Sequence, residues 1–230
     1  MFTSLIIGGK TGIGLVVAKQ LIKRGDEVYS ASRTSSEDKN HIICDITKDC
    51  SVLRQNIKKI DNLIFSHRYR GADWGETFEV TVKGVENVVQ TLAPNFNKEG
   101  GSVVIISSNA SSFVLKEQTA EYHASRAALE GLSNFYAVRF GKQGLRFNTI
   151  LPSTLIKPEN EDFFRKDNKV KRMIEDITPL GRMGNSTDVA NLIEFLCSDQ
   201  SSFITGNSFF LDGGLSLIGQ ETIARERGDI

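Results

Sequence analysis

Short apolar runs alternate with longer stretches of helical period along the whole chain. Strands are expected at 4–7, 27–32, 41–44, 62–66, 102–107, 146–151 and 208–211. Leu63-Ile-Phe65 and Val103-Val-Ile-Ile106 are continuously apolar, as strands covered on both faces are. Helical patterns fill the gaps, most clearly at 12–24, 78–92, 120–141 and 187–198. Strand-helix alternation of this length calls for right-handed crossovers. The expected fold class is therefore α/β: one domain over 1–230, built on a doubly wound parallel sheet of seven strands with helices on both faces. One segment departs from the rhythm. Residues 158–177 are charged, with apolar positions at Phe163, Phe164, Val170, Met173, Ile174 and Ile177. Long insertions in compact folds tend to be functional, so a substrate lid near 155–178 is expected, with a solvated surface excursion as the alternative.

Composition narrows the function classes. A chain of 230 residues is long enough to bury a sizeable core without staples. Lysine and arginine number 28, as do aspartate and glutamate, so no global field draws the protein to nucleic acid or to a membrane surface, and neither partner is expected. The apolar run in the opening MFTSLIIGGK is shorter than the core of a secretion signal, and no run approaches a membrane span. A cytoplasmic location is expected. Cys44, Cys50 and Cys197 have no metal-ligand spacing and an odd count; reduced thiols and no metal site are the expectation.

The first strand-helix junction carries the strongest chemistry. It reads Ile7-Gly8-Gly9-Lys10-Thr11-Gly12-Ile13-Gly14. Gly8 allows a tight turn, Gly12 lets the backbone approach a pyrophosphate, and Gly14 lets the helix pack on the strand. The helix N-terminus then offers free N–H groups to the phosphates. The spacing Gly-x-x-x-Gly-x-Gly resembles that of the short-chain dehydrogenases/reductases, which have a Rossmann fold. Further matches follow in order: Ser107-Ser108 at the end of the fifth strand, Tyr122 at the start of the long helix, and Pro179-Leu-Gly-Arg-Met-Gly184. Asp188-Val-Ala, Ser202-Phe-Ile-Thr-Gly206 and Leu211-Asp-Gly-Gly214 complete the resemblance, which covers nearly the whole chain. It implies a nicotinamide dinucleotide cofactor, a small carbonyl or alcohol substrate, and a homodimer or homotetramer assembled through the long helices and the C-terminal strand.

Cofactor choice turns on the end of the second strand. An acid there would bond the adenosine ribose and signal NAD. The chain instead has Ser32 and Arg33, with Lys10 in the glycine loop. Two cations and a hydroxyl suit a 2′-phosphate, so NADP is expected, with NAD possible if these charges are only solvated. The resemblance further implies cofactor contacts from Ile13, from Asp45 and Ile46 after the third strand, and from Ser66 after the fourth. It implies the same for Pro152, Thr154 and Leu155 near the nicotinamide, and for Tyr122 and Arg126 at the ribose.

The catalytic positions match less completely. A phenol can act as proton donor to a carbonyl when a fixed cation stabilises its phenolate. Tyr122 and Arg126 lie four apart on a helix and share a face. The family has Tyr-x-x-x-Lys; here the motif is Tyr122-His-Ala-Ser-Arg126, which keeps the charge but relays a proton poorly. Ser108 is the expected hydrogen-bond donor to the substrate carbonyl, with Ser107 and Asn109 as alternatives. The family asparagine of the fourth helix is Thr81, and its Asn-Asn-Ala-Gly stretch is Phe65-Ser66-His67-Arg68. His67 and Arg68 either bind an acidic group or form a solvated loop. The family's Pro-Gly becomes Pro152-Ser153, and Trp74 reads as a core or interface residue. Two functions stand. The first is an NAD(P)-dependent oxidoreductase with Ser108, Tyr122, Arg126 and Thr81 in its catalytic set. The second is a non-catalytic dinucleotide-binding homologue acting as a structural or regulatory partner.

Overall fold

Apolar side chains alternate along each central strand and so supply two cores, one on each face of a sheet. Leu5, Ile7, Leu63, Phe65, Val103 and Ile105 face one way. Ile6, Ile64, Val104, Ile106 and Ile150 face the other. In the structure, a computed structural model describing residues 1–166 and 168–228, these belong to β1 (Thr3–Ile7), β4 (Asn62–Phe65), β5 (Gly101–Ile106) and β6 (Leu145–Pro152). With β2 (Glu27–Ser32), β3 (His41–Ile43) and β9 (Ser208–Leu211) they form a seven-stranded sheet, parallel throughout, in the order β3-β2-β1-β4-β5-β6-β9. The expected α/β architecture is thus the observed one.

The first core is covered by α2 (Ser51–Asn56), α4 (Gly84–Leu92) and α5 (Ala120–Phe140), which contribute Leu53, Val85, Val88, Leu92, Leu129 and Tyr136. The second is covered by α1 (Gly12–Arg24) and α8 (Ser186–Leu196), through Val17, Leu21, Val189, Ile193 and Leu196. A polar tie crosses beneath this second layer. Arg24 meets the Asp26 carboxylate at 2.6 Å and donates to the carbonyls of Glu194 and Cys197, joining α1 to α8. Asp26 also accepts from the Ser4 hydroxyl at 2.7 Å, so a buried carboxylate is both paired and hydrogen-bonded.

Chain order reverses between β1 and β4, which opens a crevice at the carboxyl ends of the strands. The register pairs Ile7 with Phe65, Phe65 with Ile105 and Ile106 with Ile150. The residues that leave these strands, Gly8, Ser66, Ser107 and Ser153, therefore emerge along one edge. The C-terminal signature braces the same layer: Arg182 clasps the Asp188 carboxylate with bonds of 2.8 and 2.9 Å, and Asp188 and Asn185 cap each other at the start of α8.

Three features differ from the expected pattern. The helix expected at 78–92 begins earlier, as α3 (Trp74–Phe78), because Asp73 accepts from the Glu76 N–H and caps it. A π-helical turn (Glu79–Lys83) then joins α3 to α4. Trp74 is exposed and stacks on Phe78 at 5.4 Å, so it is not a core residue. The short helices α2 and α9 (Gln220–Arg227) carry too few apolar positions to announce themselves. The segment near 155–178 folds as β7 (Leu155–Ile156), α6 (Glu161–Arg165) and α7 (Lys169–Ile177), and β7 pairs with β8 (Gly184–Asn185), which follows them. Position 167 of the expected lid lies outside the described residues. Among the described residues, no helix is long and apolar enough to cross a membrane, and no group of three or more His, Cys, Asp or Glu could hold a metal ion.

Candidate active site

The crevice is a cleft of about 390 Å³. Its floor is the glycine loop. A Cβ on Gly14 would run into the carbonyl oxygen of Gly8, so α1 can lie on β1 only with glycine there. Gly8 itself has a φ of +85°, and a Cβ on it would come 2.8 Å from the His67 amide nitrogen. Thr11, at the N-cap of α1, makes no side-chain capping bond, and the first turn holds no acid. The positive end of this helix is therefore open to an anion. A carboxylate of the chain reaches it: both Glu159 oxygens lie 3.1 Å from where Gly12 would carry a Cβ.

At one end the cleft is lined by Ser32, Arg33 and Thr34. His41 supports them from below, with Nδ1 2.7 Å from the Ser30 hydroxyl and Nε2 3.1 Å from that of Ser32. Lys10 does not line the cleft; it donates to the Ser35 carbonyl at 2.5 Å and braces the loop after β2. Asp45 and Ile46 also stand outside the lining. Asp45 accepts from the hydroxyl of Thr47 at 2.7 Å and from its N–H at 3.1 Å. The hydroxyl bond, more than the nearby Lys48 and Arg33, holds its carboxyl below the usual range. Ile46 is buried against Gly84, and its carbonyl accepts from Asn87.

At the other end Tyr122, on the first turn of α5, meets Arg126 one turn later. The guanidinium carbon stands 4.9 Å from the centre of the Tyr122 ring. Arg126 is only 4% exposed, and its Nε has no hydrogen-bond partner. Burial lowers its pKa; the Tyr122 side chain works against that and Arg68 adds to it. Ser107 donates to the main-chain carbonyl of Arg126 at 3.0 Å, which spends its hydroxyl on fastening α5 to β5. Ser108 lines the cleft, its oxygen accepting from the Ala110 N–H at 3.2 Å. Asn109 begins the next turn and is not part of the lining. Ile13, Ser66, Pro152 and Leu155 line the cleft, whereas Thr154 does not.

Two further substituted family positions are His67, which lines the cleft, and Thr81, which does not. His67 Nε2 is 3.0 Å from the Val80 carbonyl, which can only accept, so the ring proton is on Nε2 and Nδ1 is a bare acceptor. That Nδ1 is buried without a partner, as is the hydroxyl of Thr81, which sits in the π-helical turn rather than in the cleft. Burial, reinforced by Arg126 and opposed by the Val80 bond, pushes the His67 pKa down to about 4. The folded protein thus binds fewer protons here than the unfolded chain, whose histidine titrates near 6.5. The stability this confers is complete above the unfolded value and is lost as pH falls towards the folded one. Urea unfolding should show about 1–2 kcal/mol less stability at pH 5 than at pH 7, and His67→Asn should remove that difference. Arg70, Lys157 and Glu159, also in the lining, were not expected from the sequence. The one available signal was the repeat of arginine in Arg68-Tyr-Arg70.

Residues 66–216, well over half of the chain, match the family model described as Enoyl-(Acyl carrier protein) reductase. Dehydrogenase/reductase SDR family member 6 of Aquarana catesbeiana is 28% identical over 236 residues, 93% of this chain and 96% of that protein. The protein is a short-chain dehydrogenase/reductase. The L-rhamnose 1-dehydrogenase (NAD(P)(+)) of Sphingomonas sp. (strain SKA58) is 36% identical over 141 residues, covering 60% of this short-chain dehydrogenase/reductase and 55% of that enzyme. Among solved structures, ligand-free aldohexose dehydrogenase of Thermoplasma acidophilum superposes with a TM-score of 0.84 at 25% identity, over 95% of this chain and 96% of that one. Short-chain dehydrogenases/reductases use nicotinamide dinucleotides, and the site fits one. The glycine cradle leaves no room for side chains, the α1 N-terminus is uncapped, and Arg126 Nε is a buried donor in need of an acceptor.

Proposed function

We propose that the protein is an NADP-dependent oxidoreductase that interconverts a carbonyl compound and its alcohol. The observation that carries this reading is the meeting of Tyr122, Ser108 and Arg126 in one cleft with the glycine cradle. Bound nicotinamide would supply or accept the hydride at the carbonyl carbon. In the reducing direction the Tyr122 hydroxyl gives its proton to the carbonyl oxygen, while the Ser108 hydroxyl donates a hydrogen bond to the same oxygen. The buried charge of Arg126, held over the tyrosine ring, stabilises the negative charge left on the phenolic side. Thr81 is buried in the π-helical turn and outside the cleft lining, so it has no direct part in this step. Loss of NADPH absorbance with a panel of ketones, sugars and quinones tests the reading. Tight NADPH binding without oxidation by any of them would sink it and would identify a dinucleotide-binding protein without turnover.

Preference for NADP is supported by Arg33 in the lining and by the absence of an acid at the end of β2. Arg33→Ala should weaken NADPH binding by about tenfold to a hundredfold and leave NADH binding nearly unchanged, measured by fluorescence titration. Equal losses for both would refer the arginine to the fold instead. We further propose assembly into a homodimer or homotetramer, on the exposed Phe135 and Val138 of α5 and Phe203 and Phe210 beside the C-terminal strand.

A further inference from the structure

The chain has no net charge, yet the catalytic end of its cleft is strongly positive. Arg68, Arg70 and Lys157 line it together with Arg126, and among the described residues Glu159 is the only carboxylate in the lining. Among the described residues none of these four cations has a carboxylate within ion-pair distance, in contrast to Arg24, Arg165 and Arg182. Lys157 is half-buried, and its electrostatic neighbours are Glu159, Arg68, Tyr122 and Arg70. Burial holds its pKa below the ordinary lysine value, Arg68 and Arg70 add to this, and Glu159 opposes it. Like charges gathered in a partly enclosed space repel unless an anion joins them.

The cofactor would engage Arg126, but it does not account for Arg68, Arg70 and Lys157. Its pyrophosphate belongs at the uncapped start of α1, and Arg33 stands at the far end of the cleft, after β2. Two loops supply the remaining cations. Arg68 and Arg70 come from the loop after β4, and Lys157 comes from the segment after β7. They converge beside Tyr122, where the reacting carbonyl would lie.

Building on the oxidoreductase reading, we infer that the substrate is a carbonyl compound bearing an oxyanion, a carboxylate or a phosphoryl group, seated by Arg70 and Lys157 with Arg68 beside them. The anion fixes the molecule at one end while its carbonyl meets Tyr122 and Ser108. Charge-assisted bonds to a guanidinium or an ammonium are the strong kind, and a planar carboxylate or a phosphate suits the arginine fork. The inference also gives Phe65-Ser66-His67-Arg68 a division of labour: His67 faces inward as a neutral acceptor, and Arg68 faces the substrate.

The test uses the NADP-loaded protein and matched pairs of probes. Laevulinate is compared with methyl laevulinate, and dihydroxyacetone phosphate with dihydroxyacetone; inorganic phosphate serves as a competitor. Calorimetry should find the anion of at least one pair bound about tenfold tighter than its neutral partner, and the pair that shows the preference tells carboxylate from phosphoryl. Lys157→Met combined with Arg70→Gln should erase the preference while NADPH titration shows the cleft still formed, and Lys157→Arg should retain it. Equal binding of both members of each pair, no binding of any anion including phosphate, or a preference that survives the double variant would each overturn the inference. Because binding is read without turnover, an anion preference in a protein that oxidises no NADPH would uphold this inference and defeat the catalytic reading, so the two failures are distinct.

Discussion

Tyr122→Phe is expected to lower kcat by about a hundredfold to ten-thousandfold with NADPH affinity preserved, since positioned proton transfer is worth that much. The change is narrow. It removes one hydroxyl from a half-buried ring and keeps the aromatic face against which the Arg126 guanidinium rests. Fold and charge stay as they are, so the lost rate reports the proton alone. Steady-state assays with NADPH and a reducible ketone, beside a fluorescence titration of the cofactor, separate the two quantities. Turnover within a few-fold of the parent would mean that the proton comes from solvent or from Ser108, and the proposed role of the tyrosine would fall.

Arg126→Met should move activity and stability in opposite directions. The guanidinium is buried, its Nε is unsatisfied, and among the described residues no carboxylate pairs with it. A buried charge without an ionic partner is a cost that folding carries, only partly offset by the tyrosine ring. Methionine fills much of the same volume without that cost. Urea unfolding without cofactor should therefore show a gain of about 1–3 kcal/mol, while kcat falls at least as far as in Tyr122→Phe. Adding NADPH should shrink the gain, because only the parent would then satisfy the guanidinium with the ribose. A variant that is both less stable and fully active would contradict the account. Arg126→Lys refines it: higher turnover would mark arginine as a degenerate residue, lower turnover as an adapted one.

Much of this was legible in the sequence, for a physical reason. A sheet covered on both faces writes its pattern into short segments, so Leu5-Ile6-Ile7 and Val103-Val104-Ile105 announce both strands and cores. The glycine loop is equally plain, because Gly8 is demanded by its own φ of +85° and Gly14 by contact with the nearby Gly8 carbonyl. What stayed hidden depends on orientation or on distance along the chain. Ser107 and Ser108 look alike at a strand end and both line the cleft; only the fold shows that one hydroxyl is held by the Arg126 carbonyl and the other caps the turn at Ala110. Thr81 was legible as a substitution but not as a buried residue outside the cleft, since no local pattern announces the π-helical turn that holds it. The hold of Thr47 on one Asp45 oxygen likewise depends on the turn after β3 and is not marked in the sequence. Lys157 and Glu159 meet residues far away in sequence, and no local pattern records such contacts.

The carboxylate of Glu159 at the Gly12 cradle has a kinetic consequence. A dinucleotide pyrophosphate would need the small volume this side chain already holds, so it could not settle there until Glu159 has moved away. At low concentration, encounter governs how fast the protein loads. At high concentration the departure of Glu159 governs it, and loading settles to a rate that more cofactor does not raise. Stopped-flow mixing with NADPH is expected to show this as a loading rate that levels off with concentration in the parent and keeps rising in Glu159→Ala.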